Sequence, residues 1–164
     1  MKRREKLYEE EYTQADVLST IDSLKGTQVQ AEDRPVGNDS LRDAALEYIK
    51  DLEGFRVRLR EIHWQTESDA EHRLTDDLIK TFESHEDEVA EVVMGLLGVR
   101  IKVGEVVPNL PKEQDLASML QQALNSVVHL KSKIIQAPGY SGLDSLLDDF
   151  SNTISKGNFL KTLK

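Results

Sequence analysis

Apolar side chains recur at intervals of three and four residues in four separate stretches of the chain. This spacing is typical of amphipathic α-helices, because it places the apolar residues on one face of the helix. The predicted helices run from about Ser40 to Thr66, from Ser68 to about Gly98, from about Lys112 to Ala137, and from Ser141 to the C-terminus. Glycine and proline fall mostly between these stretches, which supports the predicted helix ends.

The apolar faces of the four helices predict one shared core. On the first two helices the predicted core residues are Leu41, Ala45, Tyr48, Leu52, Phe55, Leu59, Ile62, Leu74, Leu78, Phe82, Val89, Val93 and Leu96. On the last two helices they are Leu116, Leu120, Ala123, Val127, Leu130, Ile134, Leu143, Leu147, Phe150, Ile154 and Leu160. His85 lies nearer to this apolar face than to the polar one, so we interpret it as a structural residue.

Two long helices, a longer connection and two more long helices follow one another in the sequence. This order predicts an all-α fold, namely a ferritin-like four-helix bundle with a long crossover between the second and third helices. Residues 1–38 contain little that could be buried, apart from a short apolar stretch at Val17–Leu24. We therefore predict two regions: an N-terminal arm at residues 1–38, flexible or partly helical, and the bundle at residues 39–164.

The composition narrows the chemistry that the chain can perform. Its 164 residues include no cysteine, which excludes disulfide frameworks, iron–sulfur clusters and thiol catalysis. No apolar run is long enough for a membrane helix, and the N-terminus lacks a signal-peptide pattern, so we expect a cytoplasmic protein with no membrane partner. The net charge of -9 disfavours nucleic acid over most of the surface and draws attention to carboxylate clusters as metal sites.

One flank of the predicted second helix carries several residues that can bind metal ions. On a helical wheel, five residues share this flank, away from the apolar face: His72, Asp76, Glu83, Asp87 and Glu91. Residues four apart are neighbours on a helix, so a His–Asp or Asp–Glu pair with this spacing can bind one cation. The alternative interpretation is an ordinary solvated acidic face, because repulsion between such charges costs a helix only a few tenths of a kcal/mol.

His63 adds a second imidazole at the end of the apolar face of the first helix. Imidazole together with carboxylates is the ligand set expected for iron that changes between its ferrous and ferric states. The imidazole retains the ferrous ion, and the carboxylates favour the ferric ion. A single histidine in such a position is otherwise most often a structural core residue, so the sequence leaves both interpretations of His63 open.

Two runs of residues and one pair resemble the motifs of Dps proteins, a family of miniferritins. The run Leu59-Arg-Glu-Ile-His-Trp-Gln65 is similar to the end of the first Dps helix, where a His-Trp-Asn signature carries a ferroxidase ligand. His72 and Asp76 match the family's His-x-x-x-Asp, and the run His85-Glu-Asp-Glu-Val-Ala-Glu91 is similar to its second-helix motif. Between the first two motifs this chain is three residues shorter than the family pattern.

The resemblance implies a Dps-like iron-binding ferroxidase that stores iron and protects against peroxide. By that resemblance the metal ligands are His63, His72 and Asp76 of one subunit, with Asp87 and Glu91 of its two-fold partner. Iron, as a di-iron or a mononuclear centre, would then bind between subunits. The smallest active unit would be a homodimer, and the family assembles twelve subunits into a hollow shell.

Trp64 follows the first histidine directly, and the resemblance places it near the site as a catalytic electron donor. Simple packing at the end of a helix is an equally good interpretation of this residue. A non-catalytic ferritin-like structural or assembly protein, for example a virion or shell component, is the alternative function. Weak DNA binding through four basic residues of the arm is a further expectation: Lys2, Arg3, Arg4 and Lys6.

Overall fold

The structure of the protein, a computed structural model, describes residues 37–112, 115–134 and 139–162. These residues form four helices and no strand: α1 at Gly37–Gln65, α2 at Asp69–Leu97, α3 at Leu116–Ile134 and α4 at Ser141–Thr162. The predicted all-α class and the four helices are therefore confirmed. Residues 1–36 of the predicted arm, including its basic cluster, lie outside the described residues.

Helix α2 begins and ends where local sequence signals place its ends. The Ser68 side chain accepts a hydrogen bond from the Glu71 backbone N–H, as expected of an N-cap. Gly98 has a φ of 61°, and its backbone N–H donates to the carbonyl of Met94, which satisfies a free end of the helix. Helix α1 begins earlier than expected, so Ser40 lies inside the helix and does not cap it.

The four helices pack around one apolar core. Helix α1 contacts α2 and α3, and α4 contacts the same two helices from the other side. Three phenylalanines interlock edge to face at the centre: Phe82 lies 6.1 Å from Phe55 and 5.0 Å from Phe150, measured between ring centroids. Among the helices described, none has the length and apolar character that crossing a bilayer requires.

The predicted core is confirmed at most positions and wrong at two. Leu96 and Leu160 are 40% and 52% exposed, because each lies in the last turn of its helix, where the neighbouring helices no longer surround it. Ile62 and Leu74 are only partly buried, and both lie close to the turn between α1 and α2. The hydrophobic pattern thus identifies the middle of each helix more reliably than its ends.

Between α2 and α3, the segment at residues 105–111 lies against α1 and follows it. Arg42, near the start of α1, forms a 2.9 Å ion pair with Glu105. Further along α1, Arg58 donates a 3.1 Å hydrogen bond to the carbonyl of Pro111. The order of these contacts means that the segment runs in the same direction as α1.

Gly54 allows the segment to approach the helix backbone closely. The Asn109 backbone N–H donates a 3.0 Å hydrogen bond to the carbonyl of Lys50, one turn before Gly54. A Cβ atom at Gly54 would lie 1.8 Å from the Asn109 carbonyl oxygen, which no side chain can tolerate. A glycine inside a helix, which normally costs stability, is explained here by close contact between two backbones.

Candidate metal centre

His63 and His72 meet at the turn between α1 and α2. His63 lies in the last turn of α1 and His72 in the first turn of α2, and only three residues join the two helices. The helices therefore run antiparallel from this turn, and the two imidazole rings stack with their centroids 3.9 Å apart and their planes 27° apart. Both residues were predicted as metal ligands from the sequence, but their contact within one chain was not predicted.

Each of the two rings is held by the backbone of the other residue. The Nδ1 atom of His63 lies 3.2 Å from the carbonyl oxygen of His72, and Nδ1 of His72 lies 3.3 Å from the carbonyl oxygen of His63. A carbonyl oxygen only accepts hydrogen bonds, so Nδ1 carries the proton in both rings. When such a ring binds a metal, its lone pair is on Nε2 while Nδ1 donates to a backbone carbonyl, which is the arrangement that metal-binding histidines use.

Thr75 supports this arrangement from the interior of the bundle. Its side chain is fully buried, and its hydroxyl lies 2.9 Å from the backbone carbonyls of both Glu71 and His72. The hydroxyl donates to one of these carbonyls and can accept from His63 Nδ1, which is 3.2 Å away. Thr75 was not predicted from the sequence, where its only signal is a polar residue on the buried face one turn after His72.

The stacked rings cannot both bind the same ion in this conformation. The lone pair of an imidazole nitrogen lies in the ring plane, and a metal–imidazole bond is about 2 Å long. Two planes 27° apart, with centroids 3.9 Å apart, converge well beyond that distance. His63 and His72 therefore suit two different ions, or one ring has to rotate to share an ion with the other.

Asp76 follows His72 by one turn on the same flank of α2. Its carboxylate is 55% exposed and lies 3.8 Å from the ammonium group of Lys80, which is 71% exposed. An ion pair so long and so exposed contributes little to stability. The carboxylate can therefore exchange this partner for another cation at small cost.

Asp87 and Glu91 are exposed and lie near the other end of α2. Asp87 is eleven residues beyond Asp76, which is about 16 Å along a helix. Within one chain these carboxylates are too far from the two histidines to share an ion with them. Accordingly, the described part of the chain contains no group of three or more His, Asp or Glu residues that could hold a metal.

Trp64 points away from the bundle, and its side chain is 71% exposed. It is therefore not packed against the core at the end of α1. It follows His63, a member of the histidine pair, directly in the sequence of α1.

A cluster of charged side chains that the sequence analysis did not identify borders Asp87. Arg56 of α1 lies 2.9 Å from Glu53, 3.2 Å from Glu86 and 3.8 Å from Glu83. Burial raises the pKa of Glu86 to about 7, although the positive charge of Arg56 opposes that shift. Glu86 and Asp87 line the same groove. The carboxyl group of Glu86, which changes charge near neutral pH, therefore lies close to a candidate ligand.

The interior of the bundle contains two buried polar side chains among the described residues, Thr75 and His85. His85 stacks on Phe150 with centroids 3.7 Å apart, and its Nε2 forms a 2.9 Å hydrogen bond with the Tyr48 hydroxyl. Burial lowers the pKa of His85 to about 4, so the ring is neutral, and burial also raises the pKa of Tyr48. The structural interpretation of His85 is confirmed, and the candidate metal ligands lie on the surface of the bundle.

Comparison of the chain with protein-family models, curated proteins and solved structures finds no match. The resemblance to Dps proteins therefore stays a prediction based on the motifs. The function has to be inferred from the geometry of the candidate site.

Proposed function

We propose that this protein is a Dps-like ferroxidase that binds ferrous iron as its substrate between two subunits. Two Fe²⁺ ions would each give one electron to hydrogen peroxide, which takes up two protons and becomes two water molecules. The observation that carries this proposal is the histidine pair, because His63 and His72 hold their Nδ1 protons on backbone carbonyls and leave Nε2 free for a metal.

The chemistry of the candidate ligands favours iron over harder cations. Mg²⁺ and Ca²⁺ prefer sites built from oxygen ligands alone, whereas imidazole suits Fe²⁺ and other transition metals. Asp76 supplies a carboxylate beside the histidine pair, and carboxylates stabilise the ferric product. Because the stacked rings cannot bind one ion together, the arrangement favours a dinuclear centre with one histidine for each ion.

A second subunit is required by the distances within one chain. Asp87 and Glu91 lie too far along α2 to join the histidines of their own chain, but the same residues of a partner subunit can reach them. Each homodimer would then contain two equivalent sites. Assembly of dimers into a shell of up to twelve subunits, with iron mineral inside, completes the proposal.

The fold supports this assignment in two ways. Each helix contacts two others in the pairing expected of a ferritin-like bundle, and residues 105–111 follow α1 as a crossover of that fold would. Trp64, which is exposed and follows His63 in the sequence, would serve as an additional electron donor, since an exposed indole can be oxidised without disturbing the core.

Iron titration tests the proposal directly. Ferrous iron is added without oxygen, hydrogen peroxide follows, and the ferric absorbance is recorded for the wild type and for His63→Ala and Asp87→Asn. We expect each variant to lose most of the rate. The control is Glu88→Gln, which removes a carboxylate from α2 at a groove facing α4, away from the candidate site.

Two results would contradict the ferroxidase. One is oxidation of iron at the rate of free Fe²⁺ by the wild type, and the other is an unchanged rate in both site variants. The first result would favour the alternative, a non-catalytic ferritin-like structural or assembly protein. A gel shift at low and moderate salt tests separately whether the arm binds DNA, because binding through four basic residues would be weak and sensitive to salt.

A further inference from the structure

Met94, in the last turn of α2, holds the residues that follow the helix in two ways. Its backbone carbonyl accepts hydrogen bonds from the N–H groups of Gly98 and Val99. Its sulfur atom lies 3.5 Å from the backbone nitrogen of Ile101 and accepts a hydrogen bond from that N–H group. Met94 therefore fixes both the end of the helix and the path of the chain beyond it.

Met94 is half-buried and borders two open grooves. One of them, with a volume of about 530 Å³, lies over the end of α2 and is also lined by Gly95 and Gly98. Nothing lies within 4 Å of the Cβ position of either glycine, so a small molecule can approach this surface. Met119, in contrast, is fully buried in the core. A water-soluble reagent therefore reaches Met94 more easily than Met119.

The Met94 thioether can be oxidised by hydrogen peroxide while the N–H group of Ile101 is bonded to it. A thioether sulfur has two lone pairs, and the hydrogen bond uses only one of them. The other lone pair can attack one oxygen atom of the peroxide. The sulfur gains that oxygen and gives up two electrons, the O–O bond breaks, and water leaves with both protons of the peroxide. The product is methionine sulfoxide, in which a polar group replaces an apolar one.

Oxidation should break the hydrogen bond between Ile101 and the sulfur. In a sulfoxide the sulfur is the positive end of the S–O dipole, so its remaining lone pair no longer attracts an N–H group. The new oxygen lies on the side of the sulfur that the peroxide attacked, and the N–H group can reach it only if the backbone moves. An unpaired N–H group in partly buried backbone is unfavourable, so the chain at Ile101 has to rearrange.

The rearrangement has a natural limit at Glu105. Residues 102–104 are exposed and have little packing of their own, whereas Glu105 is bound to α1 through its 2.9 Å ion pair with Arg42. Ile101 packs against the core and lines the groove that also contains Asp87. A displacement of residues 99–104 therefore changes the wall of a groove that a candidate ligand borders.

We propose that Met94 is a modification site for hydrogen peroxide, and that its oxidation releases residues 99–104 from the end of α2. The groove beside Asp87 then opens where Ile101 closed it. The reaction needs only peroxide and the protein, so the proposal does not depend on whether the protein oxidises iron. Methionine sulfoxide can be reduced enzymatically, which makes the release reversible.

Peptide mass spectrometry of the full, folded and metal-free chain tests the site. The protein is treated with hydrogen peroxide and digested with trypsin, which places Met94 and Met119 in different peptides. We expect Met94 to be oxidised at least about tenfold faster than Met119, because a buried sulfur reacts only when the structure opens. In urea-unfolded protein the two rates should become similar. Equal rates in the folded protein would overturn the site.

Hydrogen exchange measured by nitrogen-15 NMR tests the release. After oxidation, the Ile101 amide should exchange at least about tenfold faster than in the untreated protein. The Asn109 amide, which donates to the carbonyl of Lys50, should keep its rate because it lies beyond Glu105. Methionine sulfoxide reductase with a thiol reductant should restore the slow exchange of Ile101.

Met94→Leu is the matched variant, since leucine keeps an apolar side chain of similar size and lacks the sulfur. Its Ile101 amide should exchange rapidly before any treatment, and peroxide should not change that rate. An unchanged Ile101 rate in the oxidised wild type contradicts the release of residues 99–104. So does a response to peroxide that persists in Met94→Leu. None of these measurements uses iron, so their outcome is separate from that of the ferroxidase.

Discussion

The imidazole rings of His63 and His72 stack 3.9 Å apart, and each donates its Nδ1 proton to the backbone of the other residue. They are nine positions apart in the sequence, so the contact depends on the short turn between two antiparallel helices. The result is a pair of ligands in a fixed tautomer before any metal arrives. Such a pair loses little conformational freedom on binding, which favours affinity.

Replacing Thr75 with Val should weaken metal binding through His63. Valine has nearly the shape of threonine but removes one of the two acceptors of the His63 Nδ1 proton. We expect the dissociation constant for Fe²⁺ or Zn²⁺ to rise about tenfold. This is the lower end of the range of about 10- to 100-fold that is typical for losing a group that orients a metal ligand. Nitrogen-15 NMR of the metal-free protein should show a larger share of the tautomer with the proton on Nε2.

Thr75→Ser is the matched control, since it keeps the hydroxyl and loses only a methyl group. It should restore both the tautomer and the affinity. An unchanged tautomer in Thr75→Val would contradict the positioning role, whatever the iron chemistry proves to be.

Gly54→Ala should destabilise the protein strongly. The new methyl group would lie 1.8 Å from the Asn109 carbonyl oxygen, so the backbone of the connecting segment has to move. We expect a loss of about 2 kcal/mol or more in the free energy of unfolding, measured by urea denaturation. Gly95→Ala is the control in α2, where nothing lies within 4 Å of the new atom. It should stabilise the protein by about 0.5–1 kcal/mol. Equal effects of the two substitutions on the free energy of unfolding would contradict this explanation of Gly54.

The stability of the bundle should fall in acid partly because of His85. Burial lowers the pKa of His85 from 6.5 to about 4, so the unfolded chain takes up a proton at a higher pH than the folded chain. The contribution to stability is present above pH 6.5 and is lost as the pH falls through 4. His85→Phe removes this dependence, so the wild type should lose about 2–3 kcal/mol more than the variant between pH 7.5 and 4. Equal losses, measured by urea denaturation without metal, would show that the buried imidazole is not responsible.

Glu86 should give the opposite dependence on pH. Burial raises the pKa of Glu86 from 4.5 to about 7, so the folded chain holds a proton that the unfolded chain has already released. This contribution to stability is present below pH 4.5 and is lost as the pH rises through 7. Glu86→Gln stays uncharged and should therefore gain stability relative to the wild type between pH 5 and 8. A constant difference between the two proteins over that range, in metal-free urea denaturation, contradicts the raised pKa.

The sequence by itself determined the helices and most of their buried faces. Buried apolar residues such as Leu52 and Val127 belong to patterns with the helical period. Ser68 and Gly98 cap the two ends of α2, each through a hydrogen bond with a residue three or four positions away. These features could be predicted because the interactions that produce them are local. The exposed position of His72 on the same flank of α2 as Asp76 could also be predicted, since it follows from their spacing along the helix.

Only the tertiary structure decided which of these residues meet. The stack of His63 on His72, the support from Thr75 and the contact of Gly54 with Asn109 all join separate elements. Their positions depend on how helices and connecting segments pack in three dimensions, which the period of apolar residues does not specify. A pattern along one helix fixes directions around its axis, whereas distances between elements are fixed by the packing of all the side chains together.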